Sequence, residues 1–113
     1  MRMLGRVVLT AANAAAIAIC LANANGATWG PAAPMNISRT RHTATVLFNG
    51  AVLVTGGLTG AVGSFNTTGS AELYEPAIGT WSSTAALHTS RSRHTATLLA
   101  NGLVLVAGGI IQL

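Results

Sequence analysis

A long internal repeat constrains the fold of this sequence more than any other feature. Residues 38–57, SRTRHTATVLFNGAVLVTGG, align with residues 90–109, SRSRHTATLLANGLVLVAGG, with 15 identities in 20 positions and an offset of 52 residues. The same offset also maps Trp29 onto Trp81. A period of roughly 50 residues is typical of stacked or radially arranged supersecondary units, so we expect each period to fold as one such unit.

The residue pattern within one period predicts strands joined by tight turns. Asn49-Gly50 separates two runs of β-branched and apolar residues, and this pair favours a two-residue type I′ hairpin turn. The Gly-rich segment 58–69 is predicted to be a loop, and residues 76–79 a turn. The predicted strands of the complete period are residues 43–48, 51–55, 70–75 and 80–84. The second copy predicts two more, at residues 95–100 and 103–107.

Four consecutive strands in about 50 residues are typical of one blade of a β-propeller. The residues resemble a kelch repeat, because Gly56-Gly57 ends the second strand, Tyr74 follows it, and Trp81 comes later in YEPAIGTW. The resemblance implies an all-β fold of kelch-type β-propeller blades, similar to the central domain of galactose oxidase. The matching residues account for one complete four-stranded blade plus half of the next, and the residue pattern before them predicts an N-terminal signal helix. The residues that repeat in this pattern are Gly56, Gly57, Tyr74, Trp81, Gly108, Gly109 and Trp29.

These repeated residues have clear physical roles in such a blade. The paired glycines allow positive φ angles and a close approach of neighbouring backbone where the strand ends. Tyr74 and Trp81 are expected to pack between adjacent blades, where large rings bury much area. A lone early strand at about residues 27–29, which contains Trp29, is expected to match the fourth strand of a preceding blade.

The number of blades is too small for a closed ring. Propellers have about four to eight blades, whereas this sequence holds one and a half. We therefore predict that the chain is the N-terminal fragment of a longer propeller protein. The alternative is that several copies assemble into one ring, since unpaired blade edges allow self-association.

The first 24 residues have the pattern of an export signal. Arg2 and Arg6 precede a run of apolar residues rich in Ala, and Ala22-Asn23-Ala24 is a small-x-small triplet. This pattern predicts a signal peptide over residues 1–24 that is cleaved after Ala24. An uncleaved anchor helix remains the alternative, and it is the only predicted link to a membrane. Residues 25–113 are then the partial propeller, placed in the secreted fraction, the periplasm or at the cell surface.

Charge and cysteine content exclude several classes of function. The net charge is +4, but without the first 24 residues four Arg face two Glu, which leaves +2. Binding of nucleic acid needs a dense basic surface, so no nucleic-acid partner is expected. Cys20 is the only cysteine, which excludes an intrachain disulfide and a metal site built from several cysteines.

Arg41, His42, Arg93 and His94 are the candidate ligand-binding residues. The kelch resemblance implies that Arg41 and Arg93 lie at the mouth of the central channel, where such arginines can bind acidic peptide segments. The planar guanidinium suits this task because it pairs with carboxylates through two hydrogen bonds. The alternative is structural: the Arg-His pair recurs because it holds one blade against the next.

Metal binding and catalysis are not expected. The sequence has three His, two Glu and no Asp, so neither a carboxylate-rich metal site nor a Ser-His-Asp set can be assembled. The copper-radical oxidases with a kelch-like propeller use two Tyr and two His as ligands, and this sequence has one Tyr. We therefore predict no catalytic residues, no metal and no cofactor.

These observations favour a non-catalytic binding or scaffold module of an exported kelch-repeat protein, with a protein or glycan ligand of unknown identity. The alternative is a fragment of an extracellular propeller-containing enzyme or carbohydrate-active protein, in which other residues supply the chemistry.

Overall fold

The computed structural model describes residues 5–10, 17–23 and 26–111. Every secondary-structure element assigned in these ranges is a β-strand, and the strands pair antiparallel. The predicted all-β class is therefore confirmed. They are β1 (Gly5–Thr10), β2 (Ile17–Asn23), β3 (Gly26–Ala32), β4 (Thr43–Val46), β5 (Val52–Thr55), β6 (Leu58–Thr59), β7 (Asn66–Thr67), β8 (Ala71–Glu75), β9 (Thr80–Thr84), β10 (Thr95–Leu98) and β11 (Val104–Ala107). The described residues include no helix long and apolar enough to cross a membrane.

The complete blade is a four-stranded sheet in the order β4-β5-β8-β9. Each strand pairs with the next strand of the sheet, as in Thr43↔Thr55 and Tyr74↔Trp81. All four predicted strands are confirmed, with ends that differ by at most two residues.

The second copy forms the two-stranded sheet β10-β11, whose register repeats that of β4-β5. Thr95 pairs with Ala107 here as Thr43 pairs with Thr55 in the complete blade. Strand β10 also lies against β4, so the first strands of the two units are neighbours. The repeat in the sequence therefore becomes two adjacent units of the same geometry.

The hairpin turns differ from the predicted type I′ geometry. In both copies the pair Asn-Gly is part of a three-residue loop: Gly50 N donates to Leu47 O at 2.9 Å, and Leu47 N donates to Ala51 O at 2.8 Å. Gly50 has a φ of +86°, whereas Asn49 is not among the described residues with positive φ. This is a type I turn followed by one left-handed residue, a common three-residue hairpin loop. The Asn49 side chain stabilises it by accepting a hydrogen bond from Ala51 N at 3.0 Å.

The predicted loop at residues 58–69 contains a short hairpin made of β6 and β7. It is attached to the blade through Leu58, which is 2% exposed and pairs with Thr40 in an isolated bridge. Contacts with the complete blade therefore hold the start of this loop in place.

The N-terminal strands form a sheet in the order β1-β2-β3, which repeats the antiparallel order β5-β8-β9 of the complete blade. The predicted strand at residues 27–29 is part of β3, and it is not alone, because β2 pairs with it over seven residues. The predicted signal helix falls in the same segment: its two described ranges, β1 and β2, are strands. Ala24, the predicted cleavage position, lies outside the described residues.

The hydrophobic core lies on one face of the complete blade. Met35 and Val54 are each 3% exposed, and Trp81 packs against them. The Tyr74 and Trp81 rings, which face each other across β8 and β9, have centroids 4.9 Å apart and are tilted by 46°. Trp81 Nε1 donates to Ala33 O at 2.9 Å, which ties the segment before the blade to its outer strand.

Candidate functional site

Arg41 and Arg93 occupy equivalent positions on the two units, and the structure brings their backbones together. The N–H of Arg93 donates to the carbonyl of Arg41 at 3.0 Å. Both side chains are exposed. The two arginines therefore start from adjacent backbone positions in the two units.

Both arginines have left-handed backbone conformations, with φ of 57° at Arg41 and 55° at Arg93. They are the only non-glycine residues with positive φ among the described residues. A left-handed non-glycine residue is strained by about 1 kcal/mol or more, so the fold imposes this conformation at both positions.

The strain has a local cause, which lies in two facing segments of the chain at the strand ends. Arg41 lies between the bridge Thr40↔Leu58 and the first pair of β4, Thr43↔Thr55. The facing segment between these pairs is Gly56-Gly57, with φ of +65° and +104°. Both segments must turn between the two pairs of residues, and the positive φ angles produce that turn.

His94 points into the structure rather than toward the exposed arginines. It is 5% exposed, and its Nε2 lies 2.9 Å from Thr43 Oγ1 and 3.3 Å from Thr55 Oγ1. The two threonine hydroxyls are 2.9 Å apart. Burial lowers the pKa of His94, and the positive charge of Arg91 lowers it further. The neutral imidazole is thus favoured, and it joins the second unit to strands β4 and β5 of the first.

His42, the residue after Arg41, is half-buried. Burial is the main cause that lowers the pKa of His42, followed by the charges of Arg39 and His94. Of the four predicted ligand-binding residues, the two arginines are therefore exposed, while the two histidines lie deeper. The geometry separates the Arg-His pair into one outward and one inward side chain.

Arg39 and Glu72 form a buried ion pair, and our sequence-based reasoning did not identify it. Arg39 Nη2 donates to Glu72 Oε2 at 3.0 Å, and the two side chains are 0% and 1% exposed. The carboxylate also accepts hydrogen bonds from the N–H groups of Asn36 at 2.7 Å and Ile37 at 2.9 Å. The sequence held one sign of an important role for Arg39, because this residue recurs as Arg91 in the second copy. Its partner Glu72 is 33 residues away, so no local pattern links the two.

A second nitrogen of the Arg39 guanidinium holds the strand ends of the blade. Its Nη1 donates to the carbonyls of Gly56 at 3.0 Å and Ser70 at 2.7 Å. A buried guanidinium needs this many acceptors because an uncompensated buried charge is costly. Arg39 therefore ties the loop before β4 to both β5 and β8.

The glycine pair allows the close approach that the sequence predicted. A Cβ at Gly56 would lie 2.6 Å from the carbonyl oxygen of Arg91 and 2.6 Å from His94 Cε1. A Cβ at Gly57 would lie 2.5 Å from Thr40 O. Contacts under 3.0 Å do not occur for real Cβ atoms. Glycine at position 56 is thus required by contact with the next unit as well as by its φ.

The described residues include a cleft but no cluster of metal-ligating side chains. No group of three His, Cys, Asp or Glu side chains that could hold a metal occurs among them. A cleft of about 630 Å³ lies between residues 36–38 and 59–62, and its lining is neutral. The side chains in this part of the chain that we consider further are those of the arginines and of His42 and His94.

Comparison with solved structures places this geometry in a known fold. YjhT matches with a TM-score of 0.74 and 20% identity, over 87% of this chain and 28% of the YjhT chain. The fold is that of β-propeller blades. A fungal alcohol oxidase of the AA5 family, solved in complex with copper, matches with a TM-score of 0.70 and 21% identity. That match covers 84% of this chain and 21% of the oxidase.

Both likenesses support a kelch-like propeller fold. The chain spans 28% of the length of YjhT and 21% of that of the oxidase. No protein-family model matches the sequence, and no curated protein matches it.

Proposed function

We propose that this chain is a non-catalytic binding module of a kelch-like propeller, and that Arg41 and Arg93 bind a ligand rich in carboxylates. The observation that carries the proposal is the pair of exposed, strained arginines joined by the hydrogen bond from Arg93 N to Arg41 O. Strain of this kind persists where the surrounding structure imposes it, and it clusters at binding sites. Two exposed arginines whose backbones are joined by a hydrogen bond suit a ligand with closely spaced carboxylates.

A fluorescein-labelled oligoglutamate peptide tests the proposal by fluorescence anisotropy, with oligoglutamine as the neutral control peptide. We expect R41Q and R93Q each to weaken oligoglutamate binding about three- to tenfold, because each loses a charge-assisted hydrogen bond at an exposed site. The charge-retaining R41K and R93K variants should lose less. Binding of oligoglutamate that is unchanged in the R41Q/R93Q double variant would refute the proposal.

The same assay distinguishes the two kinds of ligand that carry such carboxylates. Competition with oligogalacturonate measures binding to an acidic glycan, and competition with unlabelled oligoglutamate measures binding to an acidic peptide. We expect the tighter competitor to show the same dependence on Arg41 and Arg93, because both ligands present carboxylates to the same guanidiniums.

Export remains part of the proposal, and it has its own test. Cleavage after Ala24 would remove β1 and β2 and leave β3 without a paired strand among the described residues. A reporter fused to residues 1–30 should be exported and processed at Ala24 if the segment is a signal peptide. A reporter that stays in the cytoplasm with its N-terminus intact would instead favour β1 and β2 as permanent strands.

The second candidate is a fragment of an extracellular propeller-containing enzyme, and the likeness to the fungal alcohol oxidase is the observation in its favour. The described residues contain one Tyr and no cluster of metal-binding side chains, so they do not fit a copper site. Catalytic residues would have to come from other segments. Sequencing the transcript beyond the codon for Leu113 would show either additional propeller repeats alone, which favours binding, or further Tyr and His residues of an oxidase.

A further inference from the structure

The hairpins β4-β5 and β10-β11 both close on the dipeptide Asn-Gly, at residues 49–50 and 101–102. Both asparagines are exposed. Asn-Gly is prone to deamidation in water, because glycine has no side chain to hinder attack of its backbone nitrogen on the carboxamide of the preceding asparagine. A third Asn-Gly pair stands at residues 25–26, where Asn25 lies outside the described residues. The two pairs of the repeat are therefore candidate sites of a spontaneous modification.

The attacking nitrogen of each pair is held by a hydrogen bond in the folded loop. Gly50 N donates to Leu47 O at 2.9 Å, and Gly102 N donates to Leu99 O at 2.9 Å. The nitrogen must lose its proton before it can attack, and a hydrogen bond to the protonated form opposes that loss. The closed loop therefore protects the nucleophile at both positions.

The geometry of the loop also keeps the carboxamide away from this nitrogen. Each asparagine is the third residue of a type I turn, a position at which ψ is about 0°. Ring closure needs the asparagine Cβ and the glycine nitrogen on the same side of the Cα–C bond, which is roughly 120° away in ψ because Cα is tetrahedral.

A second hydrogen bond holds each asparagine side chain. Asn49 Oδ1 accepts from Ala51 N at 3.0 Å. Asn101 Oδ1 accepts from Leu103 N at 3.1 Å. Because both the backbone and the side chain must move, the loop has to open before the ring can form.

The two loops are neighbours in the structure. A Cβ at Gly102 would lie 4.0 Å from Phe48 Cδ2, so the aromatic ring of the first loop reaches the second. Strand β10 also lies against β4. Each deamidation replaces a neutral carboxamide by a carboxylate that is ionised at neutral pH. Both reactions therefore place negative charge where the two units meet.

We propose that Asn49 and Asn101 are paired deamidation sites, protected by their closed hairpin loops and reactive when a loop opens. In the opened first loop, Gly50 N gives its proton to hydroxide and attacks Asn49 Cγ. A C–N bond forms, the bond from Cγ to the side-chain nitrogen breaks, and that nitrogen leaves as ammonia with a proton from water. Water then opens the cyclic imide at either carbonyl. The products are aspartate and isoaspartate, and one water is consumed for each ammonia released.

Isoaspartate changes the loop more than aspartate does, because its backbone passes through the side-chain Cβ and gains one carbon. The lengthened segment no longer matches the three-residue loop, in which Leu47 N donates to Ala51 O at 2.8 Å. Aspartate keeps the backbone length and adds only the charge. The isoaspartyl product should therefore hold its hairpin loop open.

Peptide mapping of the full chain by mass spectrometry tests the proposal. Folded chain in neutral buffer and chain unfolded in guanidinium chloride are incubated side by side, and a mass gain of about 1 Da locates each modified asparagine. We expect both sites to react at least about tenfold more slowly in the folded chain, because opening of a hairpin costs free energy. Equal rates in the two samples, or no reaction at either site in the unfolded chain, would overturn the proposal.

Asn36 and Asn66 are internal controls in the same digest. Both are exposed, but they precede Ile37 and Thr67, whose branched side chains hinder the attack. They should remain unmodified over the period in which Asn49 reacts in the unfolded chain. Modification of all these asparagines at one rate would refute the assignment, because exposure alone would then govern the reaction.

Insertion of two glycines after Gly50 separates protection by the loop from protection by the rest of the fold. The insertion keeps the reactive dipeptide but removes the three-residue loop, so reaction at Asn49 should approach the rate of the unfolded chain. Asn101 in the same molecule should stay slow, and the matched insertion after Gly102 should reverse the two rates. Rates that neither insertion changes would show that these loops do not control the reaction, and the proposal would fail.

Discussion

The imidazole Nε2 of His94 lies 2.9 Å from the Oγ1 of Thr43, so a buried histidine of one unit meets the first strand of the other. Thr55 Oγ1 lies within 3.3 Å of the same nitrogen. Two hydroxyls and one imidazole thus form a polar contact across the junction. Because this contact is buried and depends on a neutral ring, it makes the junction sensitive to pH.

We expect the free energy of unfolding to fall as the pH drops below about 6.5. Burial lowers the pKa of His94 and of His42 below the usual value of 6.5, so the unfolded chain binds more protons in this range. Stability is therefore full above the unfolded pKa and is lost as the pH falls toward the folded pKa values. Urea unfolding followed by Trp fluorescence between about pH 7.5 and 5.5 measures this slope.

The H94Q variant serves as the comparison for that slope. Gln can still bond the two threonines but does not titrate, so its stability should depend less on pH than that of the parent chain. Identical slopes in the two chains would show that His94 is not the titrating group.

Gly56 and Gly108 form a matched pair for measuring the contact between the units. Both have positive φ, +65° and +73°, but a Cβ at Gly56 would collide with Arg91 and His94, whereas a Cβ at Gly108 would meet nothing within 4 Å. We expect G108A to cost about 1–2 kcal/mol through φ alone. G56A should cost clearly more, because the neighbouring backbone must also move.

Chemical denaturation of both glycine variants gives the difference directly. Equal losses of unfolding free energy would mean that the second unit does not pack against Gly56 in solution.

Glu72→Gln should destabilise the chain by about 3 kcal/mol, since it leaves the buried Arg39 charge without its counter-ion. Glu75→Gln on the same strand is the control, and its effect should stay within about 0.5 kcal/mol. Replacing both partners, in R39M/E72L, should cost less than the sum of the single changes, because no buried charge is left unpaired. Thermal unfolding of these variants and of the single variants R39M and E72L measures these differences, and additive losses would argue against the pair.

Arg41→Gly should separate stability from binding. Glycine adopts a φ of 57° without strain, so we expect the unfolding free energy to stay equal or rise by about 1 kcal/mol. Oligoglutamate binding should weaken as in R41Q. A stability loss of several kcal/mol would mean that the Arg41 side chain supports the fold rather than a ligand.

Local sequence predicted the blade well, because its strands and turns depend on short-range patterns. The alternation in TATV and the apolar run in VLVT are visible in any window of a few residues. The turn type was harder, since Asn-Gly fits both a two-residue and a three-residue hairpin loop. The hydrogen bond from Gly50 N to Leu47 O selects the longer loop. The N-terminal segment was ambiguous for a similar reason, because short apolar runs suit a strand as well as a signal helix.

The candidate site was only partly predictable. Arg39 and Arg41 are two residues apart and recur together, so the repeat pattern alone gives no reason to treat them differently. In the structure Arg39 is buried against Glu72, while Arg41 is exposed in a left-handed conformation. The difference comes from β8, whose carboxylate reaches Arg39 from a distant part of the chain.

The sequence by itself determined the period of 52 residues, the strand positions and the need for glycine at the strand ends, because each follows from local backbone preference. Only the tertiary structure decided that His94 turns inward to Thr43 and that Arg39 is buried against Glu72, whereas Arg91 is partly exposed. The sequences around Arg39 and Arg91 are nearly the same. Their environments differ because burial and ion pairing depend on which strand lies alongside, and that is a long-range property of the fold.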